Sequence, residues 1–239
     1  MERARAAGIT RILVPGWDLA SSERALELRA EHPDLVLAAV GIHPHDAATT
    51  DEAAWARIEA LAADTACVAV GEIGLDFHRN LSPPEVQLEA FARQLALAGR
   101  LGKPVIVHDR DAHQEVRDKL LAWAQAPEGA HRSVPGVMHC FSGDGPMATA
   151  LAAAGFLISF ALPVSFRSAV GPRAAVASLA ADAILVETDA PFLGPGSGQR
   201  NEPTTILRVA AEIARLQGTS AVAVAARAAR GLDALMASR

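Results

Sequence analysis

The sequence predicts an α/β fold in which a parallel sheet is covered by helices. Short apolar runs alternate with amphipathic stretches along the chain of 239 residues. Each apolar run is followed by a loop and then a helical pattern, which is the order of repeated β–α units and implies parallel strands. At this length the pattern fits a (β/α)₈ barrel or a doubly wound sheet, in a single domain over residues 1–239.

Seven apolar runs are predicted as strands because they are short, rich in aliphatic residues and bounded by turn residues. They are residues 11–15, 35–42, 67–73, 104–109, 136–140, 156–160 and 183–188. A closed barrel of parallel strands needs eight. The chain as given starts inside a helical pattern, MERARAAG, that no strand precedes, so we expect the first strand of a barrel to be absent from it.

Amphipathic stretches between and after the strands are predicted as helices. They lie near residues 20–31, 52–63, 83–101, 111–125, 145–154, 169–181, 203–217 and 220–237. Asp51 is a capping residue before the second helix, and Pro203 takes the first helical position of the seventh. Gly102 and Gly218 follow helix ends, where glycine adopts the left-handed backbone easily.

Composition and charge exclude several classes of protein. The formal net charge is −5 and there is no basic tract, so an anionic partner must be held by a metal ion or by a few cationic side chains. The uncharged stretch 145–166 is interrupted by Gly155 and Pro163, which argues against a membrane span. Two cysteines, Cys67 and Cys140, make no disulfide framework and favour a reducing, cytoplasmic location.

Side chains that bind metals recur at the C-terminal ends of the predicted strands, where parallel barrels carry their reactive groups. They are His43 and His45, Glu72 and Asp76, His108 with Asp109 and Arg110, His139, and Glu187 with Asp189. Imidazole and carboxylate together suit Zn²⁺, Mn²⁺ or similar divalent ions. A bound cation would explain Glu72 beside a buried strand, because a buried charge is costly unless it is paired.

Each of these residues also has an ordinary structural interpretation. A single histidine at a strand end is more often hydrogen-bonded structure than a ligand. Asp76 alone can cap a loop or pair with Arg79 or Arg110, and Cys140 can be a small buried apolar residue. The recurrence of ligand-type residues at five strand ends favours a metal site, because fold stability alone does not require it.

Six segments of the chain resemble, in order and spacing, the motifs of the TatD family of metal-dependent nucleases. They are GIHPHD, GEIGLDF, VIVHDRDA, HCFSG, ETDAPFL and RNEP, and the resemblance covers nearly all of residues 8–217. It implies a (β/α)₈ TIM-type barrel of the amidohydrolase-like kind. It also implies hydrolysis of phosphodiester bonds in DNA, including 3'–5' exonuclease action, with RNA or other substrates for some members.

The resemblance also assigns roles to individual residues. The expected ligands of up to two divalent ions are Glu72, His108, His139 and Asp189. The residues expected to face the substrate are His43 or His45 at the scissile phosphate, with Arg110 and Arg200 aiding phosphate binding. Glu72 would bridge the two ions, and Asp189 would help to position or deprotonate the attacking water. We expect these side chains to converge on one site.

One motif of the family has no counterpart here. Family members open with a strand that ends in Asp-x-His-x-His, and no segment of this sequence matches that pattern. Either the sequence starts late, at an internal methionine, or the protein has a half-built site and impaired activity.

Two other functions stay open. A related hydrolase of amides, lactones or esters would use the same ligands but normally adds a carbamylated lysine or a further ligand at a strand end. Lys103 lies at a strand start and Lys119 in a helix, so neither fits that role. A catalytically weak relative would keep the barrel and bind metal poorly, so metal content would separate it from an enzyme.

Overall fold

The computed structural model describes residues 1–127, 129, 132–196 and 198–237. These residues form two compact units, one of residues 10–137 and the other of residues 1–9 with residues 138–237. Strands alternate with helices in both units, which confirms the predicted α/β class.

Seven strands lie in the described part of the chain, as predicted. They are β1 (Ile12–Pro15), β2 (Val36–Val40), β3 (Cys67–Asp76), β4 (Val105–Arg110), β5 (Gly136–Met138), β6 (Leu157–Phe160) and β7 (Ile184–Val186). In the unit of residues 10–137, β1 pairs with β2, β2 with β3 and β3 with β4, all in parallel. In the other unit, β6 pairs in parallel with β7. The parallel pairing predicted from the β–α order is therefore confirmed within each unit.

The helices follow the predicted stretches closely. They are α1 (Glu2–Ala6), α2 (Leu19–Glu31), α3 (Glu52–Ala63), α4 (Pro84–Leu101), α5 (His113–Gln125), α6 (Gly145–Ala153), α7 (Val170–Ser178), α8 (Ile206–Gln217) and α9 (Ala221–Ala237). Asp51 caps α3 by accepting a hydrogen bond from the backbone N–H of Ala54. Gly102 and Gly218 end α4 and α8 with φ values of 62° and 64°, as the sequence predicts.

Two buried glutamines of α4 fix the segments that carry candidate site residues. The Gln94 side chain accepts from the N–H of Ile42 at 2.8 Å and donates to its carbonyl at 3.0 Å. Gln87 accepts from the N–H of Asp76 at 2.8 Å and donates to the carbonyls of Asp76 and Ser82. Both glutamines are almost fully buried. Because each satisfies backbone groups that lack a ladder partner, α4 holds the end of β3 and the residue before His43 in place.

The structure corrects the predicted end of the third strand. β3 continues to Asp76, three residues beyond the predicted bound, and its register with β4 shifts between Val70 and Ile73. At that irregularity the N–H of Glu72 donates to the carbonyl of Gly16 at 2.6 Å. Glu72 therefore lies inside β3. Its backbone faces the loop after β1 because the ladder to β4 is interrupted there.

The structure also describes the two cysteines and the uncharged stretch 145–166. Cys67 is buried, Cys140 is partly exposed, and both are free thiols. The uncharged stretch 145–166 folds as α6, β6 and a short 3₁₀ turn. Among the described residues, no helix has both the length and the apolar character needed to cross a bilayer.

Candidate functional site

Three of the predicted site residues meet in the unit of residues 10–137. His43 follows β2, Glu72 lies in β3 and His108 lies in β4. One ligand atom from each lies within 4.8 Å of the others. The Oε1 atom of Glu72 is 3.0 Å from Nδ1 of His108 and 3.6 Å from Nε2 of His43. We call these three residues the His43 cluster.

The donor atoms of this cluster suit a divalent ion. Nitrogen and oxygen ligands about 2.0–2.2 Å from a tetrahedral zinc ion lie about 3.3–3.5 Å from each other, close to the separations around Glu72. When Nδ1 of His108 carries no proton, that nitrogen and the Glu72 carboxylate face each other with lone pairs only 3.0 Å apart. A metal ion bound between these two atoms would relieve the repulsion between the lone pairs.

Asp76 holds two histidines in fixed orientations. Its Oδ2 atom accepts from Nε2 of His45 at 2.7 Å and from Nε2 of His108 at 3.3 Å, and its Oδ1 atom accepts from the N–H of Arg79 at 2.7 Å. Burial acts to raise the pKa of Asp76, but the hydrogen bonds from His108, Arg79 and His45 outweigh it and hold this pKa below its usual range. An ionised Asp76 that accepts from Nε2 of His108 leaves Nδ1 of that ring available to a metal ion.

His43 stands out because its protonation state is fixed by a backbone contact. The N–H of His45 donates to Nδ1 of His43 at 3.1 Å, so the neutral ring carries its proton on Nε2, the nitrogen nearer to Glu72. Burial lowers the pKa of His43 to about 3, although the charge of Glu72 acts in the opposite direction. His43 is therefore an uncharged donor. Spacing groups it with the metal ligands, but this tautomer suits the predicted contact with a phosphate oxygen better.

A second group of site residues lies in the unit that contains residues 138–237. Nδ1 of His139 lies 2.9 Å from Oε2 of Glu187, and Nε2 lies 3.5 Å from Oδ1 of Asp189. Glu187 also accepts from the N–H of Cys140 at 2.7 Å and from the hydroxyl of Ser159 at 2.7 Å. We call His139, Glu187 and Asp189 the His139 cluster. The carboxylate of Glu187 keeps the His139 proton on Nδ1, so the lone pair of Nε2 faces Asp189.

We predict that Glu187→Gln weakens metal binding by changing the tautomer of His139. The N–H of Cys140 can only donate, so the new amide must turn its oxygen toward Cys140 and its NH₂ group toward His139. Nδ1 must then accept, and the proton moves to Nε2. We expect metal affinity and activity to fall by about 10- to 100-fold. Titration with Mn²⁺ or Zn²⁺ and initial rates would measure both.

The matched control for this change is Ser159→Ala. It removes one donor to the Glu187 carboxylate and leaves the contact with His139 intact. We expect it to lower metal affinity far less than Glu187→Gln. Equal losses in the two variants would contradict the role given to the tautomer.

The two predicted phosphate-binding arginines are both exposed. Arg110 is the last residue of β4, and Arg200 precedes Asn201 in the segment that leads to α8. The side chain of Asn201 donates to the carbonyls of Thr188 at 2.6 Å and of Leu193 at 3.2 Å, which fixes the segment after β7. The phosphate contacts of Arg110 and Arg200 stay predictions.

The structure thus forms two clusters from the predicted residues and adds contacts that the sequence pattern did not reveal. Glu72, His108 and His43 lie together in one unit, with His45 joined to them through Asp76. His139 and Asp189 lie together in the other unit, where Glu187, a candidate by residue type, makes a contact with His139 that the sequence did not predict. Convergence of all these side chains on one site stays a prediction.

Comparison with known proteins identifies relatives over nearly the whole chain. The profile of the family described as TatD related DNase matches residues 1–235. The uncharacterized metal-dependent hydrolase YabD of Bacillus subtilis (strain 168) is 41% identical over 219 residues, which is 91% of this chain and 83% of that protein. The 3'-5' ssDNA/RNA exonuclease TatD of Erwinia tasmaniensis is 36% identical over 236 residues, which is 96% of this chain and 89% of that protein.

Solved structures with the same fold are also found. The crystal structure of YjjV, a TatD homologue from Escherichia coli K12, superposes with a TM-score of 0.88 at 29% identity and covers 98% of this chain and 89% of its own. A TatD family hydrolase from Entamoeba histolytica superposes with a TM-score of 0.84 at 19% identity over 99% of this chain and 87% of its own, which shows the fold alone. These neighbours are TIM-type barrels, so the predicted fold class is confirmed.

Proposed function

Because this chain belongs to the TatD-related DNase family of metal-dependent hydrolases, we propose that it cleaves phosphodiester bonds in DNA with the help of divalent ions. The observation that carries the proposal is the His43 cluster, in which the ligand atoms of Glu72 and His108 lie 3.0 Å apart and His43 offers a ring nitrogen within 4.8 Å of both. The name of the Erwinia relative, a 3'-5' exonuclease on single-stranded DNA and RNA, supports nucleic acid as the substrate and 3'–5' exonuclease action as its mode.

In this proposal each side chain has one task. The residues that hold up to two ions are Glu72, His108, His139 and Asp189. Bound ions would supply the positive charge that activates water and stabilises the phosphate oxygens during hydrolysis. Asp189, with a side chain 26% exposed, takes the proton of the attacking water.

The remaining residues orient these groups or bind the substrate. Asp76 and Glu187 keep the protons of His108 and His139 on the nitrogens that these carboxylates contact, which leaves the other ring nitrogen of each histidine able to bind an ion. His43 donates its Nε2 proton to a phosphate oxygen and adds no charge, while His45 is held beside it by Asp76. Exposed Arg110 and Arg200 contact phosphates of the strand that is being cut.

We predict that cleavage depends on added metal and is reversible. The purified chain should cut end-labelled DNA when Zn²⁺, Mn²⁺ or Mg²⁺ is present, should stop in excess EDTA, and should recover when the ion is restored. Gel analysis of single-stranded DNA, double-stranded DNA and RNA would measure substrate choice and show whether cleavage starts at an end.

A Glu72→Gln protein prepared in parallel serves as the control for a contaminating nuclease. Cleavage that survives EDTA, or that persists in the Glu72→Gln preparation, would show that the activity does not come from this site. Absence of cleavage with every ion, in a protein that binds metal, would overturn the proposed substrate.

The rival function is hydrolysis of amides, lactones or esters. A protein that binds metal and cleaves no DNA would favour it. The chain has two lysines, Lys103 and Lys119. The ammonium group of Lys103 donates to the carbonyls of Ala62 and Asp64 at the end of α3, and Lys119 lies in α5. Neither lysine belongs to the His43 cluster, so a carbamylated-lysine mechanism has no support there. A chain that binds no metal at all would instead be an inactive relative.

A further inference from the structure

One exposed aromatic residue is hydrogen-bonded through its backbone to the His43 cluster. Trp17 follows β1 and is 46% exposed, whereas Trp55 and Trp123 are 6% and 8% exposed. Indole is rarely left this open to water, because burying its apolar faces is favourable. The exposure of Trp17 leaves its indole able to contact a ligand.

The backbone under Trp17 is held rigidly to the candidate site. Its carbonyl accepts from the N–H of His43 at 2.7 Å, and the preceding carbonyl, of Gly16, accepts from the N–H of Glu72 at 2.6 Å. Its own N–H donates to the hydroxyl of Ser21 at 2.9 Å, within the capping box that Asp18 and Ser21 form at the start of α2. The backbone that carries the exposed indole is thus fixed next to two residues of the His43 cluster.

The packing under this segment leaves little freedom for it to move. A side chain at Gly16 would lie 2.2 Å from the hydroxyl oxygen of Ser22, which is fully buried. The loop therefore follows the surface of α2 closely, and only a glycine fits at its first position. An aromatic ring on a rigid base keeps its binding geometry at low entropic cost.

The charges near Trp17 favour a neutral group over a phosphate. Asp18 is the next residue, and its negative charge raises the pKa of nearby Asp46, an effect second to that of burial. A phosphate placed between these carboxylates would be repelled. An uncharged planar base would not be, and its π-face matches the indole.

We propose that Trp17 stacks against an unpaired nucleobase of the substrate and so selects single-stranded nucleic acid; this inference rests on the proposed function. A base inside a duplex has both faces covered by its neighbours, whereas an unpaired base can place one face against the indole. Stacking acts on the ground state and the transition state alike, so it contributes to KM and not to kcat.

Steady-state kinetics on labelled single-stranded DNA test this role. We expect Trp17→Ala to raise KM by about 5- to 100-fold with kcat nearly unchanged, and Trp17→Phe to retain most of the wild-type KM because phenyl also stacks. Val222→Ala, which shortens an exposed apolar side chain of α9, is the matched control and should match wild type. An unchanged KM in Trp17→Ala, or an equal loss in Trp17→Phe, would overturn the inference.

Intrinsic fluorescence in EDTA tests the contact without any cleavage. A short single-stranded oligodeoxynucleotide should quench wild-type emission, and the quench should disappear in Trp17→Phe, because the two remaining tryptophans are buried. The same sequence as a blunt duplex should quench much less. If single-stranded DNA leaves wild-type emission unchanged, the inference is wrong even where cleavage is observed. If the quench occurs and the wild type cuts no DNA, the proposed function fails and the base contact stands.

Discussion

Replacing Glu72 with Gln is expected to abolish metal-dependent cleavage, with kcat at least about 100-fold below wild type. The change keeps the size of the side chain and removes the charge that two cations would share. Loss of a residue that merely orients a ligand already costs about 10- to 100-fold, so loss of the central carboxylate should cost more. Initial rates at saturating Mn²⁺, with metal content measured on the same samples, would test this expectation.

The same variant should keep its fold and, without metal, its stability. The Glu72 side chain is 13% exposed, and its partners at Oε1 are the rings of His43 and His108. The NH₂ group of the new amide can donate to the unprotonated Nδ1 of His108, and the cost of burying a charge is removed. We expect the melting temperature in EDTA to hold or rise, and added Mn²⁺ to stabilise only the wild type.

Glu89→Gln is the control for Glu72→Gln. Glu89 lies on the exposed face of α4, so this change removes the same charge away from both clusters. It should leave rate and metal-induced stabilisation unchanged. Wild-type cleavage by purified Glu72→Gln would refute the role of this carboxylate.

The fold was predictable because its signals are local. Helix bounds at Asp51, Gly102 and Gly218 follow from capping and from backbone conformation, which a few neighbouring residues determine. The strands follow from short apolar runs in β–α order. The end of β3 was wrong for the same reason: Gly74 resembles a turn residue in sequence, although the strand continues through it. A Cβ atom at Gly74 would lie 2.0 Å from the carbonyl oxygen of His108, so close packing against β4 requires glycine there.

The candidate site was predictable by residue type and much less so by contact. Histidine and acid at successive strand ends indicated metal chemistry, but which carboxylate orients which ring depends on residues far apart in sequence. A loop cap was one of the interpretations open for Asp76, and its Oδ1 atom does accept from the N–H of Arg79. Its bonds to His45 and His108 cross 31 and 32 residues, and no local pattern announces them.

The tautomer of His43 illustrates the same limit. It depends on one hydrogen bond from the N–H of His45, which exists because the PHD segment forms a 3₁₀ turn. The sequence indicated a histidine near the phosphate but not which nitrogen carries the proton. Similarly, Glu187 was visible as an acid after a strand, and only the fold reveals that it accepts from His139, Cys140 and Ser159.

Replacing Asp189 with Asn should lower kcat by about 100- to 10,000-fold, which is the usual contribution of a positioned general base. Asp189 has a φ of 59°, a left-handed conformation that Asn also tolerates, so the backbone should not change. The amide cannot take a proton from water, and it is a weaker metal ligand than the carboxylate 3.5 Å from Nε2 of His139. Loss of the proton acceptor and loss of the stronger metal ligand would both lower kcat. Single-turnover rates and metal affinity should therefore be measured on the same samples.

Asp111→Asn is the matched control for this last change. Asp111 also has a left-handed backbone, with a φ of 55°, and its exposed carboxylate pairs with His78 at 2.9 Å, outside both clusters. Asp111→Asn introduces an amide at a left-handed backbone position and changes no residue of the proposed site. We therefore expect nearly wild-type rates. If Asp111→Asn and Asp189→Asn lose activity equally, backbone strain or misfolding explains the result. If Asp189→Asn alone keeps wild-type kcat, another group must accept the proton of the attacking water.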